Sequence, residues 1–384
     1  MNILRRLPLY RLLLLCGLVI AVGISATALA FALGGGPKPA PEPLADAIHG
    51  ALSAAPVEGV SANIQYTNHL LEGASLASGG GAAGELSQSP LISGASGRLW
   101  IGSDGHVRIE LQAERGDTEI YSDGHTLSVY DAATNTLYRY TPTAAEEAGD
   151  SRTCSGDSSP LTCLNYRQEH EAHGQEVPTV AKIDEAISHL RRHAAVSEAT
   201  PTDVAGQPAY TVRVSPSEGG SLFGGAELSF DAVTGVPLRA AIYSSQSSSP
   251  VIELAASEVS YGPVADSVFA FSPPPGVKIE EIRFSHHGGA GHEDGATAAE
   301  KPSVTTHGHG VTAIAVIESK SKAADSTSTS EQLEGLPKVT INGTSASELR
   351  TELGTLLSFE RSGVRYVLAG SVTPGAIEAL ARGL

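Results

Sequence analysis

The sequence lacks the short motifs that mark common catalytic sites. It has no Gly-x-Ser-x-Gly nucleophile elbow, no phosphate-binding Walker loop and no His-Glu-x-x-His zinc motif. A Gly-x-Gly-x-x-Gly spacing occurs at Gly79, Gly81 and Gly84, but no predicted strand precedes it and no predicted helix follows it. A dinucleotide site requires that strand-turn-helix context. The sequence therefore predicts a protein that is not an enzyme and that uses no cofactor.

The chain is also poor in basic residues. It contains 25 Lys and Arg against 42 Asp and Glu, for a formal net charge of −17. Arg5, Arg6 and Arg11 all precede the first acidic residue, Glu42, so the remainder carries 22 basic and 42 acidic side chains, a difference of −20. Nucleic-acid binding depends on basic patches that neutralise phosphates, so this balance argues against a nucleic-acid partner. It also argues against broad electrostatic adhesion to anionic lipid headgroups.

Cysteine is scarce, with three residues at Cys16, Cys154 and Cys163. Cys16 lies inside an apolar run, where a small buried hydrophobe is a better interpretation than a lipidation site. Cys154 and Cys163 flank a polar loop, and in an exported protein such a pair is expected to form a disulfide, the alternative being two free thiols. The loop is short, so the bridge would constrain the unfolded chain by only about 2–3 kcal/mol.

Charge is absent from Leu12 to Leu33, directly after the basic N-terminal flank. At the rise of an α-helix this run spans about 33 Å, enough to cross a bilayer core. The basic flank orients such a segment with the following chain outside the cytoplasm. Residues 1–33 therefore predict a signal-anchor that tethers an extracytoplasmic protein to the membrane through residues 12–33. Cleavage as a signal peptide after Ala28-Leu29-Ala30 is the alternative.

After a Gly/Pro linker at 34–43, apolar residues recur with two distinct periods. A spacing of three and four predicts helices near 44–52 and 180–190, and a period of two predicts an antiparallel meander from Gly97 to Tyr140, with hairpin turns at Asp104-Gly105 and Asp123-Gly124. Further strands are predicted from 209 to 271, the last at Val268–Phe271. Alternation predicts that Arg108 and Glu110 face water. Seven apolar residues are predicted to point into a cleft: Ile109, Leu111, Ile120, Leu127, Val129, Leu254 and Phe269.

The C-terminal third divides into a spacer and a compact unit. Residues 284–310 are rich in Gly and His, including His286, His287, His292, His307 and His309. Without cysteine ligands or a helical His motif, a spacer with incidental histidines is preferred to a metal site. Residues 311–384 predict a small α+β domain with a last helix after Thr373-Pro374. A capping box at Ser345 and Glu348 predicts a short helix before Gly354.

Three motifs together resemble the periplasmic lipoprotein-carrier family of LolA, LolB and the RseB/MucB proteins. They are the Ser-Asp-Gly-x-x-Leu-x-x-Tyr hairpin at Ser122–Tyr130, the turn at Asp231–Leu238, and Phe-x-Phe-x-Pro-Pro-x-Gly at Phe269–Gly276. The resemblance implies an α+β fold for residues 44–283, in which a curved antiparallel sheet, an incomplete β-barrel, is lidded by helices. Residues 311–384 are similar to the small C-terminal domain of RseB-type proteins.

The resemblance implies a non-catalytic function, the binding of acyl chains of lipids or lipoproteins in the apolar cleft. A second possibility is an RseB-like regulator that binds an anti-sigma factor and senses mislocalised lipoprotein. A third is an envelope domain whose cleft is simply its core. Carriers of this family place a lid-latching arginine about three residues after the tryptophan. Here Ile101-Gly102-Ser103-Asp104 follow Trp100, so the latch is absent and a tethered protein or a sensor is favoured.

Overall fold

The computed structural model describes residues 36–71, 90–113, 116–142, 177–282, 303–320 and 336–384. Several predictions fall outside these ranges: the signal-anchor of residues 1–33, the Cys154–Cys163 bridge, and His286, His287 and His292. Within the part of the chain that the structure describes, no helix is both long and apolar enough to cross a membrane.

Thirteen strands form one large, curved sheet that is mostly antiparallel. Its first half comprises β1 (Gly59–Asn68), β2 (Ala95–Gly102), β3 (Val107–Ala113), β4 (Gly116–Ser122), β5 (Leu127–Asp131) and β6 (Thr136–Tyr140). Its second half comprises β7 (Ala194–Val196), β8 (Thr200–Val204), β9 (Gln207–Pro216), β10 (Phe223–Asp231), β11 (Pro237–Ser244), β12 (Pro250–Tyr261) and β13 (Lys278–Ile282). The predicted meander is confirmed.

The sheet does not close on itself. Its order is β13-β6-β5-β4-β3-β2-β1-β12-β11-β10-β9-β7, with β8 also paired to β9. The two meanders meet where β1 pairs with β12, a contact between residues about two hundred positions apart in the chain. The two ends of this order, β13 and β7, do not pair with each other, so the predicted incomplete barrel is confirmed.

Among the described residues, three helices lie on one face of this sheet: α1 (Leu44–Ser53), α2 (Pro90–Ser93) and α3 (Val180–Leu190). Thr179 caps α3 by accepting a hydrogen bond from the backbone of Lys182. The apolar sides of α1 and α3 pack on Tyr210 and Phe230 of β9 and β10. The two predicted amphipathic helices are thus confirmed, and both cover the same end of the sheet.

The Asp231–Leu238 motif forms the turn between β10 and β11. The buried Asp231 carboxylate accepts hydrogen bonds from the backbone N–H groups of Val233 and Thr234, at 2.7 and 2.9 Å, and from the Tyr261 hydroxyl at 2.7 Å. Gly235 has φ +72°, and a Cβ there would stand 2.4 Å from the carbonyl oxygen of Ala51 in α1. Glycine is therefore required for the close packing of α1 on this turn.

The predicted strand at Val268–Phe271 is wrong. Asp266–Val268 forms a 3₁₀ turn, and the chain then runs without ladder pairing through the prolines to β13, which pairs in parallel with β6. Proline cannot donate a ladder hydrogen bond, and its fixed φ favours an isolated extended path. We call residues 266–277 the proline strap.

A second sheet of six strands forms the C-terminal unit. Its strands are β14 (Ser303–His307), β15 (Ile314–Lys320), β16 (Lys338–Ile341), β17 (Thr344–Arg350), β18 (Thr355–Arg361) and β19 (Val364–Gly370), in the order β14-β15-β19-β18-β17-β16. Helix α4 (Pro374–Gly383) buries Ile377 and Ala381 against this sheet. Strand β14 lies inside the segment 284–310 that the sequence indicated as a spacer.

The helix predicted from the capping box at Ser345 and Glu348 is wrong, because both residues belong to β17. Asn342 and Gly343 adopt φ +49° and +83°, the conformation of a tight hairpin turn between β16 and β17. An Asn-Gly pair between extended segments is the stronger local signal, and the hairpin it starts leaves no room for a helix.

The two sheets touch through a short bridge. Ser221 pairs with Val372, and the backbone N–H of Leu222 donates to the carbonyl oxygen of Ser371 at 2.8 Å. A second contact joins the N–H of Glu352 to the carbonyl oxygen of Leu70 at 3.2 Å. Since Ser221, Leu222 and Val372 are all buried, the bridge is a packed contact.

Candidate functional site

The face of the large sheet that carries the helices, here called the helix face, presents an unbroken line of apolar side chains. Strand register pairs these residues directly, each with the next, across seven strands: Val259, Ala62, Leu99, Ile109, Ile120, Val129 and Tyr138. We call this line the apolar row. It crosses the sheet at right angles to the strands, so it offers a continuous apolar surface.

The helices cover the apolar row unevenly. Leu91 of α2 packs among Ala62, Ile64 and Leu111, while α1 and α3 lie at the distant β9–β10 end. Ile109, Ile120 and Val129 consequently remain only partly buried. Helix α2 also contacts β3 and β4, so the part of the helix face that the described helices cover least is the part that β5 and β6 form.

The structure brings six of the seven predicted cleft residues onto this face. Ile109, Ile120 and Val129 lie in the apolar row. Leu111, only 4% exposed, belongs to the core beside it. Leu254 pairs with Tyr66 and packs in the same cluster, and Leu127 lies at the rim of β5, 42% exposed.

Phe269 is the exception and is separated from the other six. It belongs to the proline strap, and its ring lies 5.8 Å from that of His106 and against Gly102, on the opposite face of the sheet. The prediction that Phe269 points into the cleft depended on the assumption that Val268–Phe271 is a paired strand.

A second line of residues, here called the polar strip, runs beside the apolar row on the helix face. Register continues from Leu111 to Thr118, Asp131 and Thr136. Thr118 is 2% exposed, and its Oγ1 has no hydrogen-bond partner among the described residues. Thr136 donates to the carbonyl oxygen of Thr134 at 3.2 Å, and the Asp131 carboxylate accepts from the N–H of Ala133 at 2.9 Å. Sequence reasoning missed the strip, although Thr118 alternates with Ile120 and must share its face.

Gly97 allows β2 and β3 to approach closely within the sheet beside the apolar row. A Cβ at this position would lie 1.8 Å from the carbonyl oxygen of Glu110. Any other residue would force the two strands apart, so glycine sets the local shape of the face.

The opposite face carries charged side chains, but it is only partly exposed to solvent. Arg108 donates from Nη1 to the carbonyl oxygen of Val268 in the proline strap at 2.7 Å, and pairs with Glu110 at 2.5 Å and Glu119 at 3.3 Å. Its side chain is 20% exposed, and its guanidinium lies 5.1 Å from the centre of the Tyr121 ring. The prediction that Arg108 faces away from the apolar residues holds, but the strap shields it from water.

Tyr121 links this arrangement to the strap. Its ring centre lies 4.2 Å from that of Phe271, and its hydroxyl donates to the Glu119 carboxylate. Burial, reinforced by that hydrogen bond, raises the pKa of Tyr121 well above its ordinary value. The phenol therefore stays neutral at any physiological pH.

A cleft of about 520 Å³ opens between the proline strap and the hairpin ends on the opposite face. Three carboxylates line it, from Asp104, Asp123 and Asp266, together with the rings of Phe269 and Phe271. Asp104 contacts the His106 ring at 2.5 Å, and Asp123 accepts hydrogen bonds from the backbone of its own turn. We call this the acidic cleft.

No protein-family model matches the chain, and no curated protein matches it. Among solved structures it is similar to MucB in complex with MucA(peri), at 13% identity and a TM-score of 0.42, over 88% of this chain and 97% of that one. The Pseudomonas aeruginosa MucA/MucB complex gives 16% identity and a TM-score of 0.39, over 88% and 96%. A LolA superfamily protein from Nitrosomonas europaea gives 9% and 0.21, over 60% and 98%. These neighbours match the resemblance that the sequence motifs indicated.

Farther along the opposite face, Glu227 is the centre of an ionic cluster. Its carboxylate binds Arg213 at 3.0 Å, Arg239 at 2.9 Å and the Tyr243 hydroxyl at 2.7 Å. Burial opposes ionisation, but these hydrogen bonds outweigh it and hold the pKa of Glu227 below its ordinary value. Every charge in this cluster has a partner, so it stabilises the sheet rather than offering a binding site.

Proposed function

We propose that this protein is a non-catalytic, extracytoplasmic binding protein that holds acyl chains of lipids or lipoproteins on its helix face. The observation that carries the proposal is the apolar row, whose side chains Ile109, Ile120 and Val129 stay only partly buried although α2 contacts β3 and β4. Monomeric proteins rarely leave contiguous apolar surface open unless it binds something. Tethering through residues 12–33 would place the site beside a membrane that supplies the ligand.

The dimensions of the row suit an acyl chain. Strands lie about 4.8 Å apart, so the part from β2 to β6 extends about 19 Å. Each methylene removed from water contributes about 0.8 kcal/mol, and a dozen of them about 10 kcal/mol before the costs of association. Shape and apolar area can therefore supply the affinity without any charged contact.

The test uses a fluorescent fatty-acyl probe with the purified protein, alongside native mass spectrometry for co-purified lipid. We expect Val129→Glu to abolish probe binding, because the carboxylate would be desolvated without a partner. The matched control is Gln112→Glu on the opposite face, which should bind normally. Added salt should change little, since the contacts are apolar. Normal binding by Val129→Glu would refute the proposal.

The acidic cleft favours a second candidate function, an RseB-like regulator that binds an anti-sigma factor through a basic segment. Its three aspartates and the negative charge of the chain would attract such a partner. MucB is similar in fold, and its solved complexes contain MucA. The affinity of the protein for a lysine-rich peptide should then fall steeply with added salt. The double variant Asp104→Asn/Asp266→Asn should bind the peptide more weakly, and Val129→Glu should bind it as the wild-type protein does. Salt-independent peptide binding would count against this candidate.

A further inference from the structure

Two histidines lie side by side at the C-terminal end of α3. His189 belongs to the last turn of the helix, and His193 follows it four positions later, just before β7. Both residues are exposed, and their ring centres lie 5.8 Å apart, with the ring planes at 47° to each other. A spacing of four residues places two side chains on the same side of a helix, and it is the spacing at which two helical histidines can bind one zinc ion.

The backbone holds His193 in this position. Its N–H donates to the carbonyl oxygen of Leu190 at 3.0 Å, so the helical turn continues past the end of α3. Its carbonyl oxygen accepts a hydrogen bond from the Ser217 hydroxyl at 2.8 Å, which ties it to the loop that follows β9. Binding of a shared ion would therefore require rotation of the two side chains only, without movement of the chain.

The separation of the two rings fits a tetrahedral ion. A zinc–nitrogen bond is about 2.0–2.1 Å long and the ring centre lies about 1.2 Å behind the nitrogen, so a tetrahedral angle at the ion puts two ring centres about 5.2 Å apart. A right angle, which Cu²⁺ and Ni²⁺ prefer, puts them about 4.5 Å apart. The observed 5.8 Å is nearer to the tetrahedral value. The geometry therefore favours zinc among the divalent ions that imidazole binds.

The charges around the pair do not exclude a cation. Arg191 and Arg192 lie between the two histidines in sequence, but the Arg191 guanidinium binds the Glu198 carboxylate at 2.5 Å. Glu185, one turn before His189, is exposed on the same helix. The two arginines and two carboxylates balance, and at exposed positions water and salt screen what remains. The chain as a whole has a net charge of −17, which attracts cations.

We propose that His189 and His193 chelate one zinc ion at the exposed end of α3. In the part of the chain that the structure describes, no group of three or more His, Cys, Asp or Glu residues is arranged to hold a metal, so the described residues supply two ligands and water takes the other positions. Catalytic zinc sites have three protein ligands and structural sites four. The pair is therefore an exchangeable chelate that holds the last turn of α3 in its helical conformation. This inference is independent of acyl binding.

The experiment measures the melting temperature of the purified, untagged protein by circular dichroism, with zinc chloride and with EDTA. A ligand that binds only the folded state raises the melting temperature, and zinc at about ten times its dissociation constant should raise it by about 3–5 °C. His193→Gln and His189→Gln should each reduce this shift to near zero, because a single imidazole cannot chelate the ion. Isothermal titration calorimetry should show one zinc equivalent fewer in either variant.

Three controls keep the result interpretable. His125→Gln changes an exposed histidine that has no other histidine four residues away, and it should keep the full zinc shift. The triple variant His286→Gln/His287→Gln/His292→Gln tests the histidine-rich segment 284–310 and should keep it too. In EDTA, His189→Gln and His193→Gln should melt at the wild-type temperature, because both positions are exposed.

Three results would overturn the proposal. The first is a zinc shift in His193→Gln as large as that of the wild-type protein. The second is loss of the shift in the triple variant, which would assign the zinc to the histidine-rich segment. The third is a wild-type protein whose melting temperature zinc does not raise.

Discussion

The two faces of the large sheet differ in composition and in how far they are exposed to solvent. The helix face is apolar and partly open, with Leu127 and Leu228 exposed by 42% and 44%. The opposite face is charged and partly closed, because the proline strap covers Arg108 and Tyr121. A sheet optimised for stability alone would cover its apolar side first. The proposed binding function would account for this inversion, because it requires an open apolar surface, whereas the covered charges hold the strap in place.

The largest expected effect comes from moving a charge between the two faces. Leu111→Glu buries a carboxylate in the core of the helix face and should cost about 3–5 kcal/mol of unfolding free energy. Its neighbour Gln112 lies on the opposite face and is exposed, so Gln112→Glu should change stability by less than about 0.5 kcal/mol. Urea denaturation measures both, and equal losses would show that the faces are not distinct.

The next effect concerns the anchoring of the proline strap. Arg108→Ala removes the hydrogen bond to Val268 and leaves Glu110 and Glu119 without their cation, so it should destabilise by about 2 kcal/mol. It should also speed proteolytic cleavage within residues 266–277. Arg98→Ala, at an exposed position on the same face, is the control. Unchanged cleavage in Arg108→Ala would show that the arginine does not hold the strap.

A smaller effect should appear as acid is added. The pKa of Glu227 is lowered in the folded state, so the stability it contributes is fully present above its ordinary pKa of about 4.5 and is lost as the pH falls through the folded value. The free energy of unfolding of the wild-type protein should exceed that of Glu227→Gln by about 1–2 kcal/mol at pH 7, and this difference should narrow below pH 4.5. A difference that stays constant with pH would contradict the assignment.

The smallest effect on stability should accompany a clear effect on binding. Leu127→Ser exchanges a side chain that is already 42% exposed, so it should cost less than about 1 kcal/mol. It should nevertheless weaken binding of the acyl probe, because the side chain borders the open part of the helix face. Thermal melting and probe titration separate the two quantities. A variant that loses stability but binds normally would assign Leu127 to the core.

Local sequence patterns were sufficient to predict those features of the fold that depend on residues close together in the chain. The period-two alternation from Val107 to Tyr140 predicted which side chains share a face, since a strand has no other way to arrange them. The helical spacing near Leu44 and Val180 predicted both helices. The predictions failed at Val268–Phe271, where the alternating pattern is typical of a strand but the chain forms a 3₁₀ turn and an unpaired segment. They also failed at Ser345, where a capping-box pattern lies in a β-hairpin instead of a helix. Thr118 was also overlooked, because a lone polar residue in an alternating strand appears to be an ordinary interruption.

By itself, the sequence determined the absence of catalytic motifs, the strand and helix periods, the hairpin turns and the two-unit layout, because each depends on neighbours a few residues apart. Only the tertiary structure decided how these parts cover one another. The pairing of β1 with β12 joins the two meanders, α1 and α3 lie at the far end of the helix face, and the proline strap crosses the other side. These contacts link residues that are distant in the chain, and the choice among them depends on packing and hydrogen bonding summed over the whole fold. That choice leaves Ile109, Ile120 and Val129 of the apolar row only partly buried, and so defines the surface of the candidate site.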